Sequence, residues 1–220
     1  MMVTDFIIDF ESFDVCESAI LIEASIIPFN MDIVNVPSFN SLVSNGIKIK
    51  FNIKSQRALG RTSSQSTIEW WKRQGDDAKL LLKPSDEDVT MVEGLTRLRE
   101  FLNENNISFK KSHFWTRGEM DIIWLRSWII SAMGISPSEV TNEAPVMFNN
   151  FREIRTVIED NLGRDQTYCP LPVGSLPDFT KHNSLHDCAR DVLMIIYSKR
   201  YSHGLEDIPA EIDPNSKRGY

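Results

Sequence analysis

Two short stretches concentrate side chains able to do chemistry. The first is Asp9-Phe10-Glu11. In an extended chain, residues i and i+2 project to one face, so Asp9 and Glu11 stand side by side as paired carboxylates. Two like charges this close repel unless a proton or cation relieves them, and hard divalent ions favour oxygen ligands. The pair is a candidate metal site, although D-x-E taken alone is more often a solvated strand end. The preceding Phe6-Ile7-Ile8 argues for a central strand rather than an exposed edge.

The second stretch is His182-Asn183-Ser184-Leu185-His186-Asp187-Cys188-Ala189-Arg190-Asp191, in which His-x4-Asp occurs twice. His182 falls just ahead of a predicted helix and Asp187 in its first turns, so histidine and carboxylate can reach one site. His186 and Asp191 both fall inside the helix, five positions apart, well over one turn of 3.6 residues, and so point in different directions. The plainer alternative leaves Asp187 and Asp191 as a polar helix face with His186 on the surface.

The elements that must position these groups follow from periodicity. Residues 5–10 read as a buried strand, residues 19–29 as a second, and residues 47–53 as a half-buried third, with Ile47, Ile49, Phe51 and Ile53 alternating against polar neighbours. Residues 67–74 suit a short helix. Ser85 with Asp88 forms a helix-start signature before Val89, Val92, Leu95, Leu98 and Leu102, a helix ending near Asn105 and Asn106. Residues 112–116 fit a strand, 121–133 a helix, 146–148 a short strand and 153–162 a helix. A loop with Pro170, Pro172, Gly174 and Pro177 precedes the last strong helix, residues 185–201. This order implies an α/β domain over residues 1–204, a mixed sheet covered by helices, with 205–220 a loosely held tail.

The 220 residues, 41% hydrophobic and 25% charged, are ordinary for one globular domain. The apolar runs are too short to span a bilayer, which takes roughly 20 residues, and the N-terminus lacks the pattern of a secretion signal. A cytoplasmic protein with no membrane association is expected. Three cysteines, Cys16, Cys169 and Cys188, without C-x-x-C spacing argue against a disulfide framework or a structural zinc site. A net charge of -7 disfavours non-specific coating of duplex DNA. It leaves room for an enzyme gripping a chain end, since bound divalent ions offset gathered carboxylates.

Asp9-Phe10-Glu11 and the downstream His182-Asn183-Ser184-Leu185-His186-Asp187 together resemble the first and third motifs of the DEDD exonucleases, in their histidine-bearing DEDDh branch. The second motif of that family places an aspartate after a strand and loop, near a helix start; Phe114-Trp115-Thr116-Arg117-Gly118-Glu119-Met120-Asp121 supplies that context and makes Asp121 the third carboxylate. Met120 stands where such enzymes often carry an aromatic residue. Within the branch, Gly46-Ile47-Lys48-Ile49-Lys50-Phe51 and Ser66-Thr67-Ile68-Glu69-Trp70-Trp71-Lys72 bring the chain closer still to bacteriophage exodeoxyribonucleases, over nearly its whole length.

The resemblance implies an RNase H-like fold and 3′-5′ hydrolysis of DNA, preferably at single-stranded 3′ ends, with release of 5′-mononucleotides. It also implies that Asp9, Glu11, Asp121 and Asp187 hold two magnesium or manganese ions, about 3.5–4 Å apart, and that His182 takes the proton from the attacking water. If the chain is phage-encoded, degradation of host DNA in the host cytoplasm is the role implied. An exoribonuclease of the same fold and a non-catalytic RNase H-like binding module are the competing readings. No feature of the sequence specifies an oligomeric state.

For substrate contacts, residues 33–68 lack Asp and Glu but carry Lys48, Lys50, Lys54, Arg57 and Arg61. With the Gly60-to-Ser66 segment as a mobile loop, Lys54, Arg57 and Arg61 are candidates to track phosphates; a solvated strand face plus loop is the equal alternative. Trp70 and Trp71 can stack bases, though both cannot face one way on a short helix and each is more readily a core residue. Arg117 is a candidate phosphate contact or a structural salt bridge.

Overall fold

A computed structural model describes residues 3–217. Its strands, β1 (Asp5–Ser12), β2 (Leu21–Phe29), β3 (Ile47–Lys50), β4 (His113–Thr116) and β5 (Phe151–Glu153), form one mixed sheet in the order β3-β2-β1-β4-β5. β2 pairs antiparallel with β1 and β3, whereas β1–β4 and β4–β5 are parallel. Strand β1 is thus flanked on both sides and covered on both faces. That accounts for the unbroken apolar run Phe6-Ile7-Ile8.

The helices are α1 (Phe39–Asn45), α2 (Ile53–Ala58), α3 (Gln65–Lys72), α4 (Asp76–Leu80), α5 (Met91–Glu104), α6 (Met120–Met133), α7 (Val140–Glu143), α8 (Ile154–Leu162) and α9 (Ser184–Ser202). Phe6, Ile8 and Phe10 of β1 join one core with Leu95 and Leu98 of α5 and Trp128 of α6. Ile7 joins the other core, with Ile158 of α8 and Val192 and Ile196 of α9. Because side chains alternate along a strand, Asp9 and Glu11 continue the Ile7 row toward α9.

Several boundaries differ from the sequence reading. The third strand stops at Lys50 because Asn52 caps α2, its side chain accepting from the Ser55 amide at 2.9 Å. The alternation through Ile53 therefore runs on into a helix. The Ser85/Asp88 pair closes a local turn, the Ser85 amide donating to Asp88 Oδ2 at 3.0 Å. Helix α5 begins later, at a capping box formed by Thr90 and Glu93. No strand forms at 146–148; Val146 is buried, and the sheet gains instead the three-residue β5, too short to show a period.

Two segments expected to be loose are fastened. Thr62, in the presumed mobile loop, bridges Ala19, and its amide donates to the Ser18 carbonyl at 2.8 Å. Past Gly204, Glu206 pairs with Arg200 at 2.8 Å, Ile212 bridges Pro172, and Asp213 is 3% exposed. Of the segment expected to be a loose tail, residues 205–206 and 212–216 are thus held against the rest of the domain. Residues 218–220 lie outside the described part.

Candidate active site

Three elements deliver the five expected residues to one place. From β1, Asp9 and Glu11 project beside each other, and the ladder with β2 shifts register just after Glu11, the kind of irregularity that ends pairing near functional groups. From the first turn of α6, Asp121 reaches back to β1, accepting from the Phe10 amide at 3.3 Å. The preceding loop is held by Thr116 Oγ1 donating to the Gly118 carbonyl at 2.9 Å and by the Gly118 amide donating to Glu153 at 3.1 Å. Gly118 adopts φ +99°, which a side chain resists. From the first turn of α9 comes Asp187.

His182 precedes α9 in the left-handed region, φ +61°, an uncommon conformation for a non-glycine residue. Its amide donates to Asp187 Oδ2 at 3.0 Å, which ties this backbone to that carboxylate. Its Nδ1 lies 3.9 Å from Glu11 Oε1, and its ring packs edge-on against Trp70, centroids 4.7 Å apart. One ligand atom each from Glu11, His182 and Asp187 fall within 4.8 Å of one another. These three line a cleft of about 490 Å³ together with Asp9, while Asp121, 5% exposed, is not among its lining residues.

The electrostatics are those of carboxyls gathered out of water. Burial, then the charges of Asp121, Glu11 and Asp187, hold the Asp9 carboxyl well above the ordinary range. Burial, then Asp187 and Glu23, do the same for Glu11. Burial pushes Asp121 up to about 8 and Asp187 to about 6, in the latter case against the pull of Arg190. Clustered, desolvated oxygen donors of this kind suit a hard divalent cation, so the residues present fit a magnesium or manganese site. His182 moves the opposite way: burial, then Lys181 and Arg190, lower it to about 4, leaving a neutral imidazole at neutral pH.

His186 is turned away from the carboxylates. Its Nδ1 accepts from the Thr180 amide at 3.0 Å and its ring packs against Phe39. Asp191, its partner in the second His-x4-Asp, does border the cleft, but as a structural anion. Burial would raise it, yet Arg117 at 2.7 Å and Arg190 at 3.5 Å hold it below the ordinary range. Of the two tryptophans, Trp71 is core, donating Nε1–H to the Ser12 carbonyl at 2.9 Å, and Trp70 lines the cleft.

The proposed phosphate contacts fare unevenly. Arg61 is corrected outright: 7% exposed, it donates to the Ala19 carbonyl at 2.8 Å and to Ser127 and Ser131 at 3.0 and 3.1 Å. Arg117 lines the cleft, but its guanidinium is engaged by Asp191, by the Thr167 carbonyl at 3.0 Å and by the Tyr168 ring. Lys54 and Arg57 are exposed on α2 and are not among the residues lining the cleft. The basic stretch also loses Lys48 to Glu23 and Lys50 to Asp88.

Two residues of the site escaped the sequence reading. Arg190 lies three positions after Asp187 on one helix face and pairs with its Oδ1 at 2.8 Å. Glu23 is fully buried on β2 opposite Glu11; it accepts from the Ser184 amide at 3.2 Å and hydroxyl at 2.6 Å, and Lys48 links it to Asn183. This network pins the start of α9, whose cap residue Asn183 makes no side-chain cap bond. The available signal was a lone acid inside the apolar run Ile20-Leu21-Ile22-Glu23-Ala24.

The domain family described as 3′-5′ exoribonuclease Rv2179c-like matches residues 4–197. The exodeoxyribonuclease of Enterobacteria phage T4 is 44% identical over 214 residues, 94% of each chain. Among solved structures, the S. pombe Pop2p in its Mg²⁺- and Mn²⁺-bound form superposes with a TM-score of 0.52 at 12% identity, covering 94% of this chain and 86% of that one. The E. coli ExoI–ssDNA complex gives 0.52 at 10% identity, covering 94% of this chain and 42% of that one. At such identities these two structures speak to the fold, which is RNase H-like. The chain belongs to the Rv2179c-like family and is a 3′-5′ exonuclease.

Proposed function

We propose that this exonuclease acts on DNA, taking single-stranded 3′ ends and releasing 5′-mononucleotides, with Asp9, Glu11, Asp121 and Asp187 holding two divalent ions and His182 as general base. The observation that carries the reading is the convergence of Glu11, His182 and Asp187 within 4.8 Å at the cleft, beside carboxyls held above their ordinary range. When bound, magnesium or manganese would neutralise those carboxylates, make the attacking water more acidic and stabilise the leaving 3′ oxygen.

The chain's own residues do the rest. Neutral His182 accepts the water proton as oxygen attacks phosphorus and the bond to the 3′ oxygen breaks. Trp70, exposed enough to meet a ligand, orients the imidazole from one side. On its other flank lies a hollow of about 430 Å³ walled by Phe10, Trp70 and Trp124, whose aromatic surfaces suit a base.

DNA is preferred because the 44% identical relative is an exodeoxyribonuclease along 94% of its length. Its phage origin supports a role in degrading host DNA in the host cytoplasm. The family description favours RNA as the second reading. Matched, 3′-labelled DNA and RNA oligonucleotides, single-stranded and duplex, with magnesium or manganese, test the substrate and the product. Rapid release of deoxynucleoside 5′-monophosphates is expected, and Asp9→Asn or Asp187→Asn should lower it by at least about a thousandfold. Full activity in either purified variant defeats the assignment, and faster digestion of RNA hands the site to the second reading.

A further inference from the structure

The segment expected to be a loose tail forms part of the cleft. Pro214, Asn215 and Lys217 line it along with Asp9, Glu11, His182 and Asp187. They are held there by Asp213, a buried carboxylate with every oxygen employed. Its Oδ2 accepts from the Leu176 amide at 3.2 Å and its Oδ1 from the Asn215 amide at 3.0 Å. Its own amide donates to the Leu171 carbonyl at 2.8 Å, and its carbonyl accepts from the Ser216 amide and hydroxyl at 3.0 and 2.7 Å. A buried carboxylate is costly unless satisfied in this way, so the attachment to the 170–177 loop is specific rather than a chance lie of the chain.

Charge gives the segment a use. The cleft is rich in carboxylates, and two of its cations, Arg117 and Arg190, are already paired with Asp191 and Asp187. Lys181 and Lys217 also line it; both are exposed, and neither makes an ion pair or hydrogen bond with any described residue. A polyanionic strand leading away from the scissile phosphate needs cations not already neutralised.

We infer that residues 213–217 are a wall of the cleft along which the nucleic-acid strand lies, with Lys217 and Lys181 contacting phosphates beyond the one being cleaved. This rests on the nuclease reading above and adds that the advantage of a long strand over a short one originates partly in this wall. The measurement is the ratio of kcat/KM for a single-stranded dodecamer to that for a dinucleotide, followed across salt concentration. Lys217→Ala and Lys181→Ala should each reduce the ratio on the order of five-fold and flatten the salt slope for the dodecamer by about 0.7. Lys217→Glu should reduce it further. Asp213→Ala, which releases the wall without removing a cation, should lower the ratio as well. Anisotropy of a labelled dodecamer in EDTA reads the same contacts as binding, without turnover. A wild-type ratio, salt slope and affinity in Lys217→Glu overturn the wall. Absence of hydrolysis by the wild-type enzyme on either substrate defeats the nuclease reading instead, and the anisotropy arm still decides the wall.

Discussion

His182 and His186 are the same residue type, four positions apart, each followed by x4-Asp, and tertiary surroundings separate them completely. His182 is held in a left-handed conformation beside Asp187 and Glu11, and burial with nearby Lys181 and Arg190 keeps its imidazole neutral. The ring of His186 faces Phe39 and Phe179 and its Nδ1 is occupied by a backbone amide. His182→Ala should therefore lower kcat by about 10²- to 10⁴-fold, the usual range for a general base, while His186→Ala should cost less than about ten-fold. Steady-state kinetics on one oligonucleotide compares them, and equal losses would remove His182 from the proton-transfer role.

At the scale of elements, the site depends on how closely helices approach the sheet, and two glycines set that approach. A Cβ on Gly46, at the end of α1, would lie 2.5 Å from Leu185 Cδ1 and 3.0 Å from the Ile26 carbonyl oxygen. Leu185 is in the first turn of α9, two residues from Asp187. Gly46→Ala should thus destabilise by about 1–3 kcal/mol and also slow turnover, because relief of the clash displaces the turn that carries Asp187. A Cβ on Gly94 of α5 would meet Phe51 at 2.8 Å and Trp128 at 3.1 Å, on the sheet face opposite α9. Gly94→Leu should cost a similar amount in urea unfolding with a smaller loss of kcat than Gly46→Ala, because Trp128 lies two turns along α6 from Asp121 whereas Leu185 is two residues from Asp187. A kcat loss in Gly94→Leu as large as in Gly46→Ala would show that the two cores are not mechanically separate.

For the molecule as a whole, stability, pH and metal are linked through the buried acids. Asp121 and Asp187, at about 8 and about 6 against an ordinary 3.8, bind protons more tightly folded than unfolded. The stability they lend is complete below about pH 4 and disappears as pH rises through 6 and then 8. In EDTA, the melting temperature should therefore fall between pH 5.5 and 8.5. A divalent ion binding only the folded state adds RT ln(1 + [L]/Kd), about 2.7 kcal/mol at a hundredfold excess over Kd, and should raise the melting temperature more at pH 8.5 than at 5.5. Thermal melts with EDTA, magnesium and manganese read this directly. A metal-free protein that becomes more stable with rising pH, and does not respond to either ion, would mean that the carboxylates are not a metal site.

Residue chemistry and local period are written into the chain itself. Asp9 and Glu11 two apart at the end of an apolar strand, and His182 with Asp187 across a helix start, were legible because i+2 and first-turn spacing dictate direction without reference to the rest of the fold. The five-strand mixed sheet was foreseen in class, though β5 and the true start of α5 were hidden by short length and a competing turn. What only tertiary structure decided was which charges remain available. Arg61 had the sequence of a loop cation but lies folded inward against Ser127, 66 positions away. Glu23 lies beneath the start of α9, 161 positions along the chain from Ser184, and residues 213–217 are fastened to a loop about 40 positions earlier. Pairing across such distances has no local period to announce it, because it is set by where the sheet and its covering helices bring remote segments together.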